Sequence, residues 1–132
     1  MTGLDAALRR EFARASRYRE PLSLLLVDLP SSSDVLGRIR DGVRLCDSAV
    51  AGPEGRVVVI LPETPLSGAL QVATRLVGVL DEPPGQAGPT RIGVASYPSP
   101  AVADAAALLR VAGKALARAR TEGGGVFTAP AV

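Results

Sequence analysis

Residues 51–64 read AGPEGRVVVILPET. Gly52-Pro53-Glu54-Gly55 collects turn formers, and Val57 to Leu61 run without a polar residue, as a strand covered on both faces does. Ser48 to Ala51 supply the opposing strand, so the stretch reads as a hairpin. Thr64-Pro65 then starts a helix, with a hydroxyl at the cap and proline at the first helical position. The turn itself carries a proline, one acid and an arginine, an order that suits neither a phosphate nor a metal ligand well.

Outward from the hairpin the pattern alternates between periods of 3.6 and 2. Downstream, Leu66, Ala69, Leu70, Ala73, Leu76, Val77 and Leu80 trace one helical stripe. Residues 81–89 (DEPPGQAGP) form a loop, 90–98 (TRIGVASYP) a strand, and 103–120 the longest helix, with Leu108, Leu109, Ala112, Ala115, Leu116 and Ala119 inward. Gly123 to Gly125 stop that helix, and Val126-Phe127 offer a last edge strand. Upstream, LSLLLVDL (22–29) is apolar on both faces, as a central strand is. Residues 4–19 form an amphipathic helix with Leu4, Leu8, Phe12 and Ala15 on one face and Arg9, Arg10, Arg14 and Arg17 around the rest; Glu20-Pro21 ends it. After the loop PSSSD (30–34), a helix over 34–46 buries Val35, Ile39, Val43 and Cys46. Gly37 and Gly42 each weaken it by about 1 kcal/mol relative to alanine.

The order α-β-α-β-β-α-β-α-β describes an α/β (α+β) sandwich with a mostly antiparallel central sheet and helices on both faces. Its core is βαββαβ, the ferredoxin-like palm unit. With no repeats and no linkers, residues 1–132 read as one domain with a core over about 4–128.

Composition narrows the function. The 132 residues are 47% hydrophobic and 21% charged, with a net charge of +2, too small for non-specific nucleic-acid binding. Four aromatics (Phe12, Tyr18, Tyr97, Phe127) give no base-stacking platform. The absence of histidine removes catalytic triads and histidine-ligated metals, and the single Cys46 cannot form an intrachain disulfide. The N-terminus is too charged for a signal peptide, and no apolar run is long enough to span a bilayer. A cytoplasmic domain that binds neither nucleic acid nor membrane is the expectation.

The blocks PLSLLLVDL (21–29), RLCDSAVA (44–51), VVVILPETPLSGALQVATRL (57–76), RIGVASYP (91–98) and LLRVAGKALARARTEGGG (108–125) occur in the order and spacing of a GGDEF domain. The chain thus resembles the diguanylate cyclases, which share the palm fold and make cyclic di-GMP from two GTP. Set against that family, its five-residue signature falls on Pro53, Glu54, Gly55, Arg56 and Val57. Phosphoryl transfer of this kind uses acidic oxygens to hold Mg²⁺ across the phosphates. The resemblance assigns one such acid to Asp28 and the next to the position of Gly55. Where it calls for glutamate stands Arg56, whose fixed positive charge repels a cation. Pro53 has no amide hydrogen to offer a phosphate.

Further departures agree. The second acid at the end of the first strand is Pro30, and the base-holding segment between Pro30 and Asp34 is shortened by about a turn and a half. Gly124 replaces a phosphate-contacting arginine, Arg120 keeps the other basic position, and Gly113 and Ala117 replace the usual Asp and Tyr. The resemblance therefore implies a pseudoenzyme with no cofactor and no metal, in which Asp28 is a leftover that caps a turn or accepts backbone donors. Arg56 is expected to pair with Glu54 or Glu63.

One family constellation does persist. Many GGDEF domains carry a product-binding RxxD that ends five residues before the signature, assisted by an arginine on the next helix. Arg44-Leu45-Cys46-Asp47 has that spacing, and Arg75 holds the helper's position. Arginine forks meet guanine O6 and N7 or a phosphate, and aspartate accepts from the guanine N1 and N2 donors. Alternatively, Arg44 and Asp47, three apart at a helix end, form a surface ion pair and Arg75 is a solvated helix residue. Two functions stay open: a cyclic di-GMP receptor acting through Arg44, Asp47 and Arg75, or an interaction module that keeps only the fold. A protein partner or a homodimer belongs to either.

Overall fold

The two apolar runs become adjacent inner strands of one five-stranded sheet, the first of them at its centre. The computed structural model describes residues 2–28, 39, 48–52, 56–80, 90–100, 102–123 and 125–128. Along the chain these form α1 (Thr2–Tyr18), β1 (Leu22–Asp28), β2 (Ser48–Ala51), β3 (Val57–Pro62), α2 (Leu66–Leu80), β4 (Arg91–Tyr97), α3 (Ala105–Thr121) and β5 (Gly125–Thr128). The strand order is β2-β3-β1-β4-β5. Every neighbouring pair is antiparallel except β4 and β5, which run parallel. Of the expected helix over 34–46, Ile39 is described; it is helical and fully buried, and Val35, Val43 and Cys46 lie outside the described residues.

Strand alternation sends side chains into two cores. Leu22, Leu24 and Leu26 of β1 join Val58, Ile60 and Ala95 under α1 and α3, where Leu8, Ala15, Leu108, Ala112 and Leu116 meet them. Leu25 and Val27 join Val57, Val59, Leu61, Ile92 and Val94 on the other face, under Ala69, Val72, Ala73 and Leu76 of α2 and Ile39. Burial on both faces is why β1 and β3 read as unbroken apolar runs. Aromatics contribute one tilted contact, Phe12 against Tyr97 with ring centroids 4.7 Å apart.

Local chemistry sets the element ends. α1 stops where Arg19 turns left-handed (φ 55°) and the Glu20 amide donates back to the Ala15 carbonyl at 3.0 Å. The Asp104 carboxylate accepts from the Ala107 amide at 2.8 Å and caps α3. The start of α2 differs from expectation by one residue. Pro65 takes the cap position, its carbonyl accepting from the Ala69 amide at 2.9 Å, while the Thr64 hydroxyl donates to the Pro62 carbonyl at 2.8 Å. The stripe of α2 otherwise holds, with two differences: Leu66 is 41% exposed, and Val72 is buried. Ser23, wholly buried in β1, donates to the Thr64 carbonyl at 2.7 Å and shares a hydrogen bond with the Ser96 hydroxyl at 2.8 Å.

α3 lies very close to β4, and Gly93 is the residue that permits it. A Cβ there would overlap the Ala112 carbonyl and stand 2.5 Å from the Leu116 nitrogen. This seating brings the last turn of α3 to the end of β1.

Candidate functional site

The ends of β1, β3 and β4 meet at one edge of the molecule. The register aligns Val27 with Val57 on one side and with Ile92 on the other. One step further out, Asp28 is paired with Arg91 across β4, and Arg56 directly precedes Val57 on β3. Asp28 shares the parity of Leu24 and Leu26, so it projects toward the layer of α1 and α3. There the last turn of α3 supplies Arg120. Both guanidinium groups converge on one oxygen: Asp28 Oδ2 is 3.5 Å from Arg91 Nη1 and 3.9 Å from Arg120 Nε. The Asp28 and Arg91 side chains are about four-fifths buried, and that of Arg120 is half exposed. Arg91 Nε is fully buried and, among the described residues, is the one side-chain nitrogen or oxygen in that state without a hydrogen-bond partner.

Beside this cluster β2 and β3 pair up to the last described residues on either side of the turn. The Gly52 amide donates to the Arg56 carbonyl at 2.7 Å, and Ala51 pairs with Val57. The scaffold around the signature is thus intact at Arg56 and Val57, while Pro53, Glu54 and Gly55 lie outside the described residues. Glu63, one expected partner of Arg56, is instead 3.2 Å from Arg14, which also stands 3.8 Å from Glu20. Among the described residues, the side-chain partners of Asp28 are two arginines from distant segments. On the same helix as Arg120, Arg118 lies over the Phe127 ring of the neighbouring strand β5 at 5.5 Å.

Of the residues that the resemblance assigns to a product site, Arg75 sits on the solvent side of α2, between buried Ala73 and Leu76. Arg44 and Asp47 lie outside the described residues. The residue after them, Ser48, is in the row of Ile60, Leu24 and Ala95. That row is four residues along the sheet from Asp28, roughly 13 Å at strand rise.

A sheet ordered β2-β3-β1-β4 with helices on both faces is the cyclase palm architecture. Solved structures narrow it to the GGDEF-domain fold. The active GGEEF domain of a diguanylate cyclase from Vibrio cholerae superposes with a TM-score of 0.79 at 21% identity, covering 95% of this chain and 94% of that one. The GGDEF domain of YfiN (TpbB) from Pseudomonas aeruginosa gives 0.82 at 20% identity, over 96% and 94%. The GGDEF domain of DgcB from Caulobacter crescentus, solved in complex with cyclic di-GMP, gives 0.76 at 18% identity, over 96% and 87%. No protein-family model and no curated protein matches the sequence. At these identities the likeness establishes the fold.

The fold's cyclases imply Mg²⁺ at this end of the sheet, and the described residues do not fit it. A divalent ion needs several hard oxygen ligands. Among the described residues, no three His, Cys, Asp or Glu side chains are grouped to hold a metal. The carboxylate at the metal-ligand position already faces two fixed positive charges. Arg91 escapes sequence reasoning, because only its pairing with Asp28 across the sheet gives it meaning.

Proposed function

We propose that this chain is a non-catalytic GGDEF-fold signalling domain that receives cyclic di-GMP through Arg44, Asp47 and Arg75. The observation that carries the non-catalytic half is the inverted charge at the strand ends. Asp28 is held by Arg91 and Arg120, and Arg56 occupies the place of an acid. Phosphoryl transfer without a metal to bridge the phosphates loses the main stabilisation of its transition state. The receptor half is supported by the RxxD spacing, by Arg75 on the outer side of α2, and by a similar domain solved with that dinucleotide.

Calorimetric titration of cyclic di-GMP into wild type and Arg44→Ala tests the receptor. Binding by wild type and loss in the variant are expected. No heat with wild type at high micromolar ligand would leave the fold as an interaction module, and equal binding by the variant would move the site. Incubation with GTP and Mg²⁺ is expected to yield no cyclic dinucleotide; measurable product would overturn the non-catalytic assignment.

A further inference from the structure

The charge of the chain is segregated between its helical layers. α1 and α3, which share one core and cover one face of the sheet, hold eight basic residues against two acids, Asp5 and Glu11; α3 holds no acid at all. The whole chain is +2, so everything outside these two helices is net −4. α2, on the opposite face, carries a single charge, Arg75. The small net charge, read alone, speaks against an anionic partner, and the segregation reverses that reading.

Little within the protein answers the basic layer. Arg14 faces Glu20 and Glu63, Arg120 leans on Asp28, and Arg118 lies over Phe127. Arg9, Arg10, Arg17, Arg110 and Lys114 are exposed and, among the described residues, have no ion-pair partner. Arg110, Lys114 and Arg118 stand four residues apart in one row, a spacing at which like charges repel and weaken a helix. A counter-surface outside the chain relieves that repulsion. The relief of the layer indicates its kind. Between the cations the exposed residues are small: Ala6, Ala13, Ser16, Ala106 and Ala117. Of the two large hydrophobic side chains exposed among the described residues, Leu66 is on α2 and Tyr18 is at the end of α1. Protein interfaces draw their affinity from clustered aromatic and apolar anchors, which this face lacks. An even cationic face with one aromatic at its rim suits a broad, diffusely anionic surface whose headgroup level accepts the ring.

We propose that the outer face of α1 and α3 docks on an anionic lipid bilayer through Arg9, Arg10, Arg17, Arg110 and Lys114, with Tyr18 at its edge and α2 turned away. Adsorption is electrostatic and reversible, because a basic patch is one of the two signals that stable anchoring takes. The surface goes beyond the proposed dinucleotide reading and does not rest on it, so its test stands whatever cyclic di-GMP does.

Co-sedimentation of the full chain with vesicles of phosphatidylcholine, alone or with about a third phosphatidylserine, tests the surface. Binding to the anionic vesicles at low salt, none to the neutral ones, and release as salt rises are expected. Arg110→Gln with Lys114→Gln should weaken binding about 25-fold, or about fivefold per charge removed. Arg110→Lys, which keeps the charge, should bind as wild type. Ser67→Glu with Gln71→Glu lowers the net charge equally from exposed positions on α2 and should weaken binding far less. All three variants alter exposed side chains and should unfold thermally as wild type does. No binding to anionic vesicles, equal binding to neutral ones, or an equal loss in the two double variants would each overturn the surface. Tighter binding to polyglutamate or duplex DNA than to vesicles of equal anionic charge would give the face to an acidic protein or a nucleic acid, and so overturn the lipid assignment.

Discussion

Gly93→Ala tests the seating that brings α3 to the strand ends. The new Cβ would lie 2.5 Å from the Leu116 nitrogen and 3.0 Å from its Cα, and would overlap the Ala112 carbonyl. Ordinary contact begins near 3.4 Å, so α3 must recede by roughly 1 Å. The opposing atoms are helix backbone, and no rotamer change relieves them. Overpacking of this kind costs about 1–3 kcal/mol, and the upper half applies because Leu108, Ala112, Ala115, Leu116 and Ala119 move with the backbone. Against it stands the gain of replacing a strand glycine, about 0.5–1 kcal/mol. The net loss is about 2 kcal/mol, or roughly 6–10 °C in Tm for a domain of this size. Urea unfolding followed by far-UV circular dichroism measures it. Gly113→Ala is the control: its Cβ meets nothing within 4 Å, so it should gain up to about 1 kcal/mol from helix propensity. A Gly93→Ala protein within about 0.5 kcal/mol of wild type would refute the close approach.

Two further substitutions probe the hydrogen bonds that join elements. Ser23→Ala strips the Thr64 carbonyl and the Ser96 hydroxyl of a buried partner and should lower stability by about 1–3 kcal/mol, seen as a lower urea midpoint at unchanged slope. Asp104→Ala removes the cap of α3 and should cost about 1 kcal/mol; Asp104→Asn, which keeps an acceptor oxygen, should recover most of it in the same assay.

What the sequence made legible follows the range of the physics involved. The strands at 22–28 and 57–62 and the helix at 105–121 show in the chain because burial imposes a local period. The hairpin shows because turn residues are local as well. The short edge strand over 125–128 was legible from Val126-Phe127, though its parallel pairing with β4 was not, since partner and direction depend on the whole sheet. The α2 cap moved by one residue as the Thr64 hydroxyl donates back to the Pro62 carbonyl and the buried Ser23 hydroxyl holds the Thr64 carbonyl. At the candidate site, the retained acid at Asp28 and the departure at Arg56 could be counted off a motif. The pairing of Asp28 with Arg91 and Arg120 could not, because those residues lie far along the chain and meet only through register and the seating of α3.

The central position of β1 also governs how the chain can be made. Leu22 pairs with Pro62 on one side and Tyr97 on the other, partners forty and seventy-five positions later. At a synthesis rate of about 5–20 residues per second, β1 waits roughly 4–15 s for its second neighbour. Through that interval LSLLLV has two unpaired edges and no charge, the profile of a segment that self-associates. β2 and β3, closed by a short turn, can pair within microseconds of leaving the ribosome. A preformed β2–β3 hairpin is therefore the first template available to β1, and the seconds of synthesis between them, not the microseconds of hairpin closure, set how long this apolar strand stays uncovered.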